Sequence, residues 1–354
     1  MFKNLRNNYY FGKAGKADYT VDDLPTTRWQ LFMVTLRTRL GTLMRVNLLY
    51  ALAFIPLLVV LVIYLNTASN ILYASDRGDG TSEYSIYIAQ QKAEGQETGV
   101  SDDTETVIPE NVANELLRVN FLHMFLWIIP CIAITGPFTA GVSYLTRNWA
   151  RDEHAFAWSD FKDALKDNWK QALPVSIITG LVPFLVYLGV DTYKGLAASY
   201  NNILFLIPEA IVIIAGIMWA ISVTYMYPLM VTYELSFRNL MRNAFLLGVA
   251  RLPFSVGIRL LLCVPVALAV GIMLLIPGIM PYVILVLMLW YALLGLMVSR
   301  FITSSYTNAV FDRFINPRIE GAKVNQGLYK DEEDDEEQPE QQENSATTEK
   351  RVEE

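Results

Sequence analysis

Residues 135–174 read TGPFTAGVSYLTRNWARDEHAFAWSDFKDALKDNWKQALP. The stretch opens inside an apolar run and crosses Gly136-Pro137. It then turns charged and tryptophan-rich, and becomes apolar again after Ala172. A chain that leaves a bilayer and re-enters it must alternate on this scale, because lipid and water select opposite side chains. Residues 135–145 then form the inner end of one span, and Pro174 lies near the start of the next.

The rest of the chain agrees. It has 354 residues, 53% hydrophobic and 18% charged, where soluble domains carry about 25% charged residues. A bilayer core of about 30 Å needs about 20 apolar residues in a helix. Six runs meet that length: 46–65, 119–144, 172–190, 205–233, 257–276 and 279–299. The expected fold is all-α, a polytopic membrane helix bundle of six transmembrane helices with amphipathic cytoplasmic interfacial helices. The lipid bilayer is its first partner.

Loop charges set the orientation. Before the first run stand Lys3, Arg6, Lys13, Lys16, Arg28, Arg37, Arg39 and Arg45. Residues 66–118 hold only Arg77, Lys92 and Arg118 against ten Asp and Glu. The connector between the second and third runs carries Arg147, Arg151, Lys162, Lys166 and Lys170, the next only Lys194. Arg238, Arg242, Arg251 and Arg259 flank the entry to the fifth run, and Arg300, Arg313, Arg318, Lys323 and Lys330 follow the sixth. By the positive-inside pattern both termini are cytoplasmic. The expected organisation is a basic segment with an interfacial helix over 1–45, a six-span domain over 46–327 with an outer loop at 66–118, and a disordered acidic tail over 328–354.

Within 159–172, Phe161, Leu165, Trp169 and Ala172 recur at helical spacing, and Lys162, Asp163, Lys166, Asp167 and Lys170 fill the other faces. This predicts an amphipathic helix along the inner membrane surface. Ser159 or Asp160 is its N-cap, and Asp163–Lys166 and Asp167–Lys170 pair along it. Trp149, Trp158 and Trp169 suit the headgroup belt. A weak echo links residues 43–48, 164–169 and 240–245 (LMRVNL, ALKDNW, LMRNAF), each ahead of a span. It is the pattern of parallel repeats of two spans. In the outer loop Tyr84, Ile86 and Ile88 alternate like a short strand, and a helix starts at Pro109-Glu110.

Sites for chemistry are few. Basic stripes with interleaved aromatics are missing, which argues against a nucleic-acid partner. Cys131 and Cys263 lie in apolar runs, and His123 and His154 lack a second histidine at metal-binding spacing. No metal, no cofactor and no enzymatic activity is expected. Glu209 is the one carboxylate well inside an apolar run. It reads either as a first-turn residue after Pro208 or as a buried site residue. Gly136-Pro137 is expected to interrupt the second span. Gly136/Ala140 and Ala267/Gly271 form small-residue pairs for close helix approach. Trp219, Tyr225, Tyr227 and Trp290 suit either a polar cavity or packing.

Gly136-Pro137, Ala140-Gly141, Tyr144 and Arg147, then Trp158-Ser159-Asp160-Phe161, then Asn168-Trp169, resemble the YesL-like family of bacterial integral membrane proteins. The likeness extends back to Asn47-Leu48-Leu49-Tyr50 with Pro56. That family is a domain of unknown function, whose members tend to be encoded beside sugar ABC-transporter components. The resemblance implies an accessory or regulatory part in carbohydrate uptake, with an ABC-transporter permease as partner. The alternative is a transporter or channel for a small polar solute in its own right. The long outer loop and the acidic tail depart from the compact members.

Overall fold

The computed structural model describes residues 24–73, 83–94 and 110–329. The expected acidic tail and the first part of the basic N-terminal segment lie outside them. Among the described residues the fold is all-α. The helices are α1 (Arg28–Thr38), α2 (Leu40–Leu52), α3 (Ile55–Tyr73), α4 (Glu83–Ala93), α5 (Glu110–Trp149), α6 (Ser159–Tyr200), α7 (Leu206–Thr232), α8 (Phe237–Ala250), α9 (Leu252–Leu275), α10 (Met280–Trp290) and α11 (Leu296–Phe314). A π-turn at Tyr291–Gly295 joins α10 to α11. Six helical segments are long and apolar enough to cross a membrane. They lie in α3, α5, α6, α7, α9 and the α10–α11 continuum, the build of a multi-pass membrane protein.

Several expectations are corrected. The first span is not 46–65. The helix breaks at Ala53-Phe54, so the crossing segment is α3, with α2 as a separate short helix before it. Residues 84–88 are helical, within α4, not a strand. Gly136-Pro137 does not interrupt the second span, because α5 runs unbroken through Pro130 and Pro137. The expected surface helix at 159–172 is no separate element: it continues through Pro174 and Pro183 as α6. Neither Asp163–Lys166 nor Asp167–Lys170 closes into an ion pair among the described residues. Trp149 is fully buried rather than interfacial.

With 40 and 42 residues, α5 and α6 are each about 60 Å long, twice the thickness of a bilayer core. They form the most extensively packed helix pair. Glycine sets their spacing. A Cβ on Gly136 would fall on the Ser176 side chain and 2.7 Å from the Ala172 carbonyl. On Gly141 it would meet the Phe161 ring at 2.8 Å, and on Gly180 the Ile129 backbone at 2.9 Å. Pro137 has no N–H to offer the carbonyl of Ala133. Ser176 Oγ reaches that carbonyl across the helix pair at 2.9 Å, sharing its one proton with the Leu173 carbonyl of its own helix, also 2.9 Å away.

The core sits at the end of the bundle that holds the turn between α5 and α6. One cluster joins Ala140, Tyr225, Met226, Leu240, Ala244 and Phe311. A second joins Leu43, Tyr50, Leu145, Trp149, Met297 and Phe301. Leu43, Ala164 and Leu240, which open the three echoed hexapeptides, are all buried. Toward the opposite end apolar side chains face outward, Leu274 and Leu275 most of all.

Candidate functional site

At the turn end, α6 leaves the bundle beside the last turn of α7. The first turns of α6 place Asp160, Asp163, Asn168 and Asp167 on one side, with Gln171 a turn further on. Their spacing of three and four residues keeps them on one helical face, whereas Lys162, Lys166 and Lys170 fall on another. Opposite them lie Thr232, Tyr233, Glu234 and Leu235, and Tyr144 of α5 closes the floor. The result is a groove of about 860 Å³ whose lining carries four carboxylates and no cation.

Local bonds fix its walls. Asp160 accepts the Phe156 N–H at 2.9 Å, which holds the start of α6. Trp158 precedes that helix without a side-chain cap. Asn168 Nδ2 donates to the Ala164 carbonyl at 2.9 Å. Gln171 Nε2 donates to the Leu235 carbonyl at 2.7 Å and ties the two sides together. The Tyr233 hydroxyl donates to Asn316 Oδ1 at 2.6 Å. Burial, with Asp312 nearby, pushes this phenol up to about 12.

Behind the groove lies a buried polar hub. Asp312 is 6% exposed and accepts from Arg28 Nη2, Asn316 Nδ2 and the Asn325 N–H. Arg28 also donates to Asn325 Oδ1 at 2.8 Å. The N-terminal and C-terminal parts of the described chain therefore meet at one end of the bundle, as an even number of crossings requires. Arg147 donates to Asn148 Oδ1 at 2.8 Å and lies 3.4 Å from Glu153. Arg151 binds Glu153 at 3.1 Å and Gln326 at 2.8 Å. Gly327, at φ 85°, lets the C-terminal segment lie against the Arg151 carbonyl, where a Cβ would sit at 2.8 Å.

The residues singled out from the sequence divide accordingly. Tyr144, Asp160 and Asn168 come together in the groove. Gly136, Pro137 and Phe161 instead build the α5–α6 contact, and Arg147 belongs to the hub. Trp158 and Trp169 are exposed, Trp158 stacking on Phe161 at 6.5 Å. Glu209 is far from all of them, in the first turn of α7. It is 9% exposed, lies 3.9 Å from Lys194, and leaves Oε2 without a partner. Tyr225 and Tyr227 are core residues, whereas Trp219 lines apolar hollows and Trp290 is exposed. No group of metal-ligating side chains gathers among the described residues.

Asn47 is a structural residue that sequence reasoning did not single out for its contacts. Fully buried, it donates to the Tyr291 and Ala292 carbonyls at 2.9 and 2.6 Å and accepts the Met297 N–H at 2.8 Å. It thus bonds backbone groups at the π-turn, where the regular i→i+4 ladder is interrupted. Three residues on, Tyr50 OH meets Thr139 Oγ1 of α5 at 2.7 Å. An asparagine inside an apolar run was the available signal.

A six-span helical bundle with a polar hub and an acidic groove at one end is a multi-pass membrane protein. Residues 116–190, essentially the α5–α6 hairpin, match a family described as "Protein of unknown function, DUF624". No curated protein matches the chain, and no solved structure does.

Proposed function

We propose that the protein is a non-enzymatic accessory subunit that docks the basic cytoplasmic segment of another membrane protein in the groove beside Asp160, Asp163, Asp167 and Glu234. The observation that carries this reading is a groove lined by four carboxylates and by no cation, at the end of the bundle richest in Lys and Arg connectors. On the positive-inside pattern this end is cytoplasmic, with both termini, and the likeness to the YesL-like family supports a bacterial plasma membrane. Any polytopic partner in the same membrane then presents its own Lys and Arg loops at the same level. Four carboxylates at that level complement them and steer association. YesL-like proteins carry the matched domain, and that resemblance supports a carbohydrate ABC-transporter permease as the partner.

Extraction in mild detergent followed by native mass spectrometry tests the docking. A heteromeric complex with a polytopic partner that dissociates as salt is raised is the expected result, since exposed charge pairs are screened. Recovery of the isolated protein in several gentle detergents contradicts it. Thiol labelling of cysteines placed at Lys166 and at Glu97 tests the orientation. Lys166 is expected to be shielded from an impermeant reagent in intact cells and Glu97 open to it. The reverse pattern would overturn the assignment of sides.

The buried, half-paired Glu209 favours a second reading, a transporter of small polar solutes. Uptake in reconstituted vesicles that is lost in Glu209→Gln would select it over docking.

A further inference from the structure

A different part of the molecule has the build of a lipid site. Between α5, α6 and α7 runs an apolar groove of about 630 Å³, with Val182, Val186, Ile217 and Val223 along it and Arg259 of α9 in its lining. A second hollow of about 550 Å³ shares Val182, Val186 and Trp219 with it. Its α7 wall, from Ile213 to Val223, is about 15 Å long, the depth of one leaflet. Glycine again sets the floor, because a Cβ on Gly216 would lie 2.7 Å from Val186 Cγ2.

Arg259 lies two turns inside α9, about 10 Å from its start at the turn end of the bundle. That is the depth from which an arginine reaches the headgroups of the nearer leaflet. Its Nε donates to Thr224 Oγ1 at 2.8 Å. Its four Nη donors have no acceptor among the described residues, and no carboxylate lies within ion-pair distance of it or of Arg300. Arg300 sits within electrostatic reach, its guanidinium 5.6 Å from the Tyr227 ring centre. An arginine left unpaired at membrane depth is costly, and two neighbouring cations raise that cost. A phosphate removes it, since the guanidinium fork matches two phosphate oxygens.

We infer that an anionic phospholipid of the leaflet at the turn end binds here, its phosphate on Arg259 and one acyl chain in the groove between α6 and α7. The charge selects an anionic over a zwitterionic headgroup, because a choline cation would face Arg259 and Arg300. The inference requires the six spans, but neither the acidic groove nor the assignment of the cytoplasmic side.

The full-length protein in detergent, titrated with equal phosphatidylglycerol and phosphatidylcholine and read by native mass spectrometry, tests it. Retention of phosphatidylglycerol about tenfold over phosphatidylcholine is expected, equivalent to about 1.4 kcal/mol. Arg259→Gln should bring the two lipids level. Ile217→Trp, at an exposed groove position, should lower retention of both. Equal uptake by the wild-type protein, which needs no variant, overturns the inference. So does a preference that survives in Arg259→Gln. Displacement of the lipid by inorganic phosphate at millimolar concentration would likewise sink it, by assigning the site to a soluble anion.

Discussion

The α5–α6 hairpin and the α9–α10 hairpin are both apolar and glycine-containing, yet only the first is bound tightly to itself. Gly136, Gly141 and Gly180 each stand where a Cβ would strike the facing helix. Gly257, Gly271 and Gly278 have nothing within 4 Å. Ser176 crosses the first hairpin to the carbonyl that Pro137 leaves free, whereas the Leu261 carbonyl, left free by Pro265 in α9, accepts from no side chain among the described residues. In lipid, helices gain nothing from burying leucine against leucine, so close approach and hydrogen bonds decide which pairs hold. The hairpin that has both is the one that supports the acidic groove, and it is also the one matched by the family of unknown function.

Substitutions can break this contrast, and the largest effect belongs to Gly136→Leu. It should destabilise the bundle by about 3 kcal/mol, the top of the overpacking range, read as a lowered unfolding temperature in detergent. Asn47→Leu removes three buried hydrogen bonds to the backbone at the π-turn and should cost about 2 kcal/mol. Ser176→Ala leaves the Ala133 carbonyl unpaired and should cost about 1 kcal/mol. Gly271→Leu should stay within about 0.5 kcal/mol of the parent. A Gly271→Leu variant as unstable as Gly136→Leu would show that α9 meets a neighbour in the membrane, and would erase the distinction between the hairpins.

The sequence revealed the span number because bilayer thickness fixes a length that composition alone can display. The first span slipped because hydropathy is blind to the break at Ala53-Phe54, where both sides are equally apolar. Alternation at Tyr84, Ile86 and Ile88 fits a strand, but three alternate positions are too short a run to tell a strand from a helix. Gly136/Ala140 and Ala267/Gly271 look alike in sequence, and only the facing helix distinguishes them. The groove was half legible: Tyr144, Asp160 and Asn168 stood out, while its opposite wall at Tyr233-Glu234 did not. Likewise Asp312 joins Arg28 across nearly the whole chain, and local spacing carries no trace of such a pairing.

The docking role of the groove is tested most directly by a photo-crosslinking residue at Asp163 in native membranes, with the crosslinked peptides sequenced. The account predicts adducts on a Lys- and Arg-rich segment of a polytopic membrane protein. It also predicts that their yield collapses when Asp160 and Asp167 are both changed to Lys. Adducts confined to lipid, or a protein adduct whose yield ignores that charge reversal, would contradict it.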